Sequence, residues 1–428
     1  MWRIPGIPRL ALSLHPIHVR APMAAPRFDC PMTRSSSPAL ATQPAAASRS
    51  RVLWLSCTAH ALHDGYTDMI YALLPVWQAD FGLSYGALAA LRAIYAGTMA
   101  TLQLPAGWLA RRLGTRATLA LGTLLAAFGY AVAGMSGTLF GLCVALALSG
   151  SGSSTQHPLA SGAVSRVYGR DARGPLSLYN FSGDLGKSAL PAAISLMVTV
   201  MPWRHALWSV SVIGVAVAAL IALFLPAIPR GHVAVEGAAS RRDGGARSGF
   251  SLLFTIGVLD TAVRMGLLTF LPFLMKDKGI SPSMMGTALA LVFIGGAAGK
   301  FACGWLGARM GVIGTVLATE GGTAALILAV IWLPLAPAMV LLPLLGMMLN
   351  GTSSVLYGTV PELTPVEHTE RAFALFYTGT IASGALSPIA YAFLGDRVGV
   401  HGATFATAAT ALAVLPLALM LRRHLRAA

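Results

Sequence analysis

Apolar runs of helix length recur along this chain from residue 52 to residue 421, separated by short polar breaks. A helix that crosses a bilayer needs about 20 mostly apolar residues. Twelve runs meet that requirement: about 52–76, 87–110, 117–136, 138–162, 175–200, 205–227, 250–275, 285–308, 312–333, 336–360, 371–394 and 402–421. The longest polar gap, 228–249, is rich in Gly and Arg and splits the runs six and six. The pattern predicts an all-α membrane protein with twelve transmembrane helices in two pseudo-symmetric halves. These are 52–227 and 250–428, the second ending in a short basic tail, with 228–249 as a cytoplasmic linker. Residues 1–51, rich in Pro, Ala, Ser and Arg without a long apolar run, predict a disordered or over-annotated tail, with Met23 and Met32 as alternative starts.

Composition agrees with that pattern. The chain is 56% hydrophobic and 11% charged, against roughly a quarter charged in soluble proteins, and its mean hydropathy is +0.70. The net charge of +15 does not indicate nucleic-acid binding. The basic residues form no single patch but sit in short clusters between apolar runs. With the N-terminus in the cytoplasm, the five loops on that side and the C-terminal tail hold 15 Lys and Arg, and the opposite loops hold four, Arg204, Lys276, Lys278 and Arg397. This bias puts both termini inside, as expected of a bacterial inner-membrane protein. The four cysteines, Cys30, Cys57, Cys143 and Cys303, are scattered and suggest neither disulfides nor a metal site.

An internal repeat supports the two halves. GWLARRLGTRAT at 107–118 matches GWLGARMGVIGT at 304–315, an offset of 197. At the same offset Leu74-Pro75 falls on Leu271-Pro272, Asp80 on Asp277, Gly82 on Gly279 and Ser84 on Ser281.

The first run is unusual for a span. HALHDGYTD carries His60, His63, Asp64 and Asp68 within nine positions. Residues i and i+4 share a helical face, so His60, Asp64 and Asp68 form one polar stripe, with Tyr71 extending it and His63 beside it. A charge at the bilayer centre costs at least about 2.5–3.5 kcal/mol on insertion scales, so the stripe must face a cavity or partners on other helices. Burial disfavours an ionised carboxyl and a nearby Arg favours it. A carboxyl that alternates between such settings loads and releases a proton. Asp64, Asp68 and His60 are therefore the proton-coupling candidates. The plainer alternative is a static pair between Asp64 and Arg92.

His157 is followed by Pro158, which frees a helical carbonyl beside an imidazole. Asp184 and Lys187 are three residues apart, and Asp260 and Arg264 four apart, so each reads either as an internal ion pair or as a substrate contact. His63, Arg92, His157, Asp184, Lys187, Asp260 and Arg264 form the candidate substrate-binding set. Lys300 is expected to snorkel to the interface and Glu320 to serve packing. No P-loop is present, and the Gly- and Ser-rich stretch 150–154 lacks the final Gly of a nucleophile elbow.

Two six-helix repeats resemble the architecture of the major facilitator superfamily. GWLARRLGTR also resembles its loop signature Gly-x-Leu-Ala-Asp-Arg-x-Gly-Arg-Lys, with Gly107, Arg112 and Gly114 matching and Arg111 replacing the usual Asp. That resemblance implies a conformational role for Gly107, Arg111, Arg112 and Gly114, and the Arg111 replacement removes the aspartate's charge latch. Within the superfamily the chain resembles the fosmidomycin resistance protein group. The matching stretches are AHALHDGYTDMIYALLPVWQADFGLS, GSGSSTQHPLASGAVSRV and SLYNFSGDLGKSALP, with Leu159, Asp184 and Lys187 departing from that group's residues. The resemblance implies a monomeric secondary transporter without cofactor or metal, in which protons drive export of a small polar or drug-like molecule through alternating access. Uptake of an organic anion is the alternative within transport. An intramembrane lipid-modifying enzyme using His60 and His157 is a distant one.

Overall fold

The computed structural model describes residues 46–228, 246–364 and 369–425. Most of the 1–51 tail and of the 228–249 linker lies outside these residues. All regular structure among the described residues is helical. In chain order the helices are α1 (Ala46–Phe81), α2 (Tyr85–Leu113), α3 (Thr115–Met135), α4 (Leu139–Ser153), α5 (Gly162–Tyr168), α6 (Arg173–Val200), α7 (Trp203–Phe224), α8 (Ala246–Asp277), α9 (Pro282–Trp332), α10 (Leu335–Thr359) and α11 (Thr369–Leu425). The first helix begins at Ala46, inside the stretch expected to be tail.

Local chemistry sets the element ends. Ser84 accepts a hydrogen bond from the Ala87 N–H to cap α2, and Thr138 does the same for α4 through Gly141. Gly114 ends α2 with φ of 87°, and its N–H donates to the Ala110 carbonyl at 2.9 Å. Gly311, its counterpart at the repeat offset, has φ of 71° and breaks α9. Both positions need the left-handed region that glycine enters without strain. Gly399 breaks α11 in the same way.

The expected single run over 138–162 is interrupted. A wide π turn over His157–Ser161 separates α4 from α5. Pro158 explains it, because a proline ring cannot donate a hydrogen bond and clashes with the carbonyl four residues earlier.

Among the described residues, seven stretches are long and apolar enough to cross a membrane: Thr115–Met135, Trp203–Phe224, Ser248–Asp277, Pro282–Lys300, Arg309–Trp332, Leu335–Thr359 and Leu375–Leu425. The helices α1, α2 and α6 are as long but more polar, since they carry the ionisable residues described below. Large apolar side chains such as Leu104, Val200 and Trp332 point outward, which is stable against lipid and costly against water.

Packing brings the polar helices to the interior. Helix α1 runs along α6, where the Cα of Gly186 sits so close to the Ala61 carbonyl that no side chain fits between them. Helix α6 also packs along α9, and α2 along α11, so elements from before and after residue 246 interlock. At one end of the bundle the Asp396 carboxylate of α11 accepts from the Tyr85 and Gly86 N–H groups of α2, at 2.7 and 3.0 Å. The Tyr85 ring packs on Phe270 and Phe273 of α8 at the same end.

Candidate functional site

The stripe predicted on the first run is buried and meets partners on three other helical segments. Asp64 is the hub. Its Oδ2 lies 3.2 Å from Lys187 Nζ and 3.4 Å from His60 Nε2, and its Oδ1 lies 3.8 Å from His63 Nε2 and 3.9 Å from His157 Nε2. His63 and His157 share a hydrogen bond between their Nε2 atoms at 3.2 Å. The Pro158 turn thus presents its imidazole to the stripe.

His60 faces two acceptors. Its Nδ1 donates to the Tyr179 carbonyl at 2.8 Å, while its Nε2 faces the Asp64 carboxylate. The Tyr179 ring stacks on the imidazole with centroids 3.9 Å apart. A neutral imidazole has one N–H, so it satisfies one of these oxygens, whereas the doubly protonated ring satisfies both.

A chain of charges continues from Asp64. Lys187 lies 3.9 Å from Asp184, and Asp184 holds Lys300 at 2.7 Å through both carboxylate oxygens. The sequence pattern suggested a local Asp184–Lys187 pair, and the shorter contact reaches instead across to α9. Lys300 was expected to snorkel; its ammonium, while 42% exposed, reaches Asp184 on the facing helix, which offers a bidentate partner. It was the only acidic or basic residue in the run 285–308, which was the available signal.

Asp64 and Arg92 do not form the static pair that the sequence allowed. The Arg92 guanidinium lies 5.2 Å from the Tyr71 ring centroid and 5.7 Å from that of Tyr95. Arg92 and Asp68 attract each other at longer range, and Lys187 also acts on Asp68. Arg92 is buried, as are His63, Asp64 and Asp68.

A second polar group lies on α8 and α9. Arg264 donates to Asp260 at 3.1 Å, and the carboxyl groups of Asp260 and Glu320 lie side by side. Glu320 was expected to serve packing. A lone apolar neighbourhood would not tolerate a carboxyl in this position, and the structure supplies Asp260 as its partner. The loop-motif residues stand apart from these groups. Arg111 and Arg112 are exposed on the last turn of α2, between Gly107 and the Gly114 turn.

His60, Asp64 and His157 place donor atoms within 4.8 Å of one another and have ligand types that suit a metal. Lys187 already contacts the same carboxylate, so a positive charge occupies the position opposite Asp64.

The exposure of these groups is one-sided. In the ion pairs, the side chain of Lys187 is 30% exposed against 8% for Asp64, Lys300 42% against 11% for Asp184, and Arg264 20% against 3% for Asp260. The cations face the accessible space and the carboxylates lie behind them.

The major facilitator superfamily model matches residues 57–254 and 253–427. "Probable sulfoacetate transporter SauU" of Cupriavidus necator is 23% identical over 402 residues, covering 86% of this chain and 93% of the relative. Among solved structures, a bacterial homolog of the human lysosomal transporter Spinster superposes in two inward-facing states. The occupied state gives a TM-score of 0.72 at 14% identity and the unoccupied state 0.73 at 16%, each covering 89% of this chain and 98% of the other. A POT family transporter bound to 5-aminolevulinic acid gives 0.69 at 13%, covering 89% and 96%. These structures share the fold. The chain belongs to the major facilitator superfamily and is a multi-pass membrane transporter rather than an enzyme.

Proposed function

We propose that this transporter carries a small organic anion and couples its movement to protons by alternating access in the bacterial inner membrane. The observation that carries the reading is the one-sided exposure, in which Lys187, Arg264 and Lys300 present positive charge while their carboxylate partners stay buried. An anionic group entering there gains charged hydrogen bonds, whereas a cation meets repulsion. A relative whose name assigns it the anion sulfoacetate supports the same class. Of the two cargoes raised by the sequence, the organic anion fits these side chains better than a neutral drug-like molecule.

In this reading Lys187, Arg264 and His157 contact the anion, with Lys300 added to the set. His63, Arg92, Asp184 and Asp260 hold those groups in place. His60, Asp64 and Asp68 carry the proton, a role supported by their burial on one face of α1 and by the contact of His60 with Asp64. The protein works as a monomer of twelve spanning helices in two halves, with both termini cytoplasmic. The breaks at Gly311 and Gly399, the continuation of α4 through the π turn into α5, and the two consecutive family matches support that count. The stretches 150–167 and 177–191 support a position near the fosmidomycin resistance group.

The test is transport by purified protein in proteoliposomes with an imposed pH gradient, using labelled small sulfonates and carboxylates. Saturable, gradient-driven accumulation of an anion is expected. Lys187→Met should raise the half-saturation concentration by about tenfold or more, since a charged hydrogen bond contributes about 1.5–3 kcal/mol. Transport restricted to cations or neutral molecules would sink the reading.

A further inference from the structure

The repeated loop motif preserves more than its sequence. Trp108 and Trp305 are equivalent at the offset of 197, and so are Arg112 and Arg309. In both copies the Arg guanidinium lies over the Trp ring of the preceding turn, 4.1 Å from the centroid in the first and 4.3 Å in the second. The indoles are 48% and 57% exposed. The next residue, Leu113 or Met310, is also exposed in each copy. Gly114 or Gly311 then turns the chain with positive φ, and a threonine hydroxyl one turn on, Thr118 or Thr315, donates back to that glycine's carbonyl. The two copies share one three-dimensional arrangement although the residues between them differ.

Each part of that arrangement suits a lipid head group. Exposed tryptophan is favoured at the membrane–water interface, where an apolar ring meets a wet boundary. Stacking on the indole fixes the plane of the guanidinium and leaves its outer N–H groups free to form a fork with phosphate. The adjacent exposed Leu or Met supplies an apolar surface for the start of an acyl chain. The first copy adds Arg111 and Arg116, both exposed, while the equivalent positions in the second copy are Ala308 and Ile313. The occupant that matches this mixture of positive charge and apolar surface is an anionic phospholipid, since a free anion gains nothing from the exposed aliphatic side chains.

We propose that the two Trp–Arg corners are a symmetry-related pair of binding sites for the phosphate head group of anionic phospholipid, the Trp108 site being the stronger. The proposal is independent of the transported cargo. That both corners face the cytoplasmic leaflet follows from the Lys and Arg bias, but the binding does not depend on it.

The experiment uses purified full-length protein, titrated in mild detergent with phosphatidylglycerol or phosphatidylcholine, with native mass spectrometry and thermal unfolding as readouts. Two phosphatidylglycerol molecules should be retained on the wild type, with a raised midpoint that phosphatidylcholine does not reproduce. Arg112→Gln and Arg309→Gln should each lose one retained lipid, Arg112→Gln losing the tighter, and the double variant should lose both. Lys276→Gln, a change to an exposed basic residue at the far end of α8, should retain both. A monodisperse elution profile checks that each variant is folded. Should the double variant misfold, Trp108→Ala and Trp305→Ala test the same corners singly. Equal stabilisation by the two lipids, or unchanged retention in the double variant, overturns the proposal. Stabilisation by inorganic phosphate equal to that by phosphatidylglycerol overturns it in favour of a soluble anion.

Discussion

Replacing Lys300 by Met removes the contact that joins α6 to α9 through Asp184. At 2.7 Å, two unit charges attract by about 6 kcal/mol in an effective dielectric of about 20. Two features reduce the net value. The Lys300 side chain is 42% exposed, so water screens it and loses little when the pair forms. Lys187 also remains 3.9 Å from the same carboxylate, so Asp184 keeps a cation after the change. Fully buried pairs that lose one member cost about 3–5 kcal/mol and exposed pairs contribute about 0–1 kcal/mol; this pair, exposed on one side only, should couple by about 1–2 kcal/mol. The assay is a double-mutant cycle with Lys300→Met, Asp184→Asn and the pair, unfolded by SDS titration in mixed micelles and followed by tryptophan fluorescence. A coupling energy of about 1–2 kcal/mol is expected, a factor of roughly 5–30 in the equilibrium. Coupling below about 0.3 kcal/mol would show that the contact is incidental and that α6 and α9 are held by apolar packing alone.

Three further outcomes follow from the same structure. Gly186→Ala drives a Cβ into the Ala61 carbonyl oxygen, so α1 and α6 must separate, and the variant should lose about 1–3 kcal/mol; an unchanged unfolding midpoint would contradict the close packing. Asp396→Ala leaves the Tyr85 and Gly86 N–H groups without their acceptor, at a cost of about 1 kcal/mol as for a lost helix cap. Cysteines introduced at exposed positions near that end should then react faster with a membrane-impermeant thiol reagent, and an unchanged rate would show that these hydrogen bonds do not hold α2 against α11. A reporter fused within 228–249 should read as cytoplasmic and one fused after Lys278 as external, and the reverse pattern would invert the orientation.

The legible part of this protein was the part written in periodicity. Runs of apolar residues mark the helices, and spacing by four put His60, Asp64 and Asp68 on one face. The partners of that face were less visible. Nothing local connects Lys300 to Asp184 or Glu320 to Asp260, because each pair joins helices far apart in the chain and becomes adjacent only through packing. The lone charge in each apolar stretch was the one hint. The interruption at His157 was half legible: Pro158 announced a disturbed turn, but the choice of a wide π turn over a kink depends on the neighbouring helices.

That π turn also gives the fourth run a rotary character. An α-helix advances about 1.5 Å and turns about 100° for every residue, and a π turn contains one residue more than the regular pitch requires. Expelling that surplus from His157–Ser161 into the chain beyond it would slip one flank of the run by a single step. His157 would then swing by about 100° around the axis, far enough to leave Asp64 and His63 while the backbone hydrogen bonds re-form behind it. Such a slip would give the run two seats, and the imidazole would mark which of them is taken.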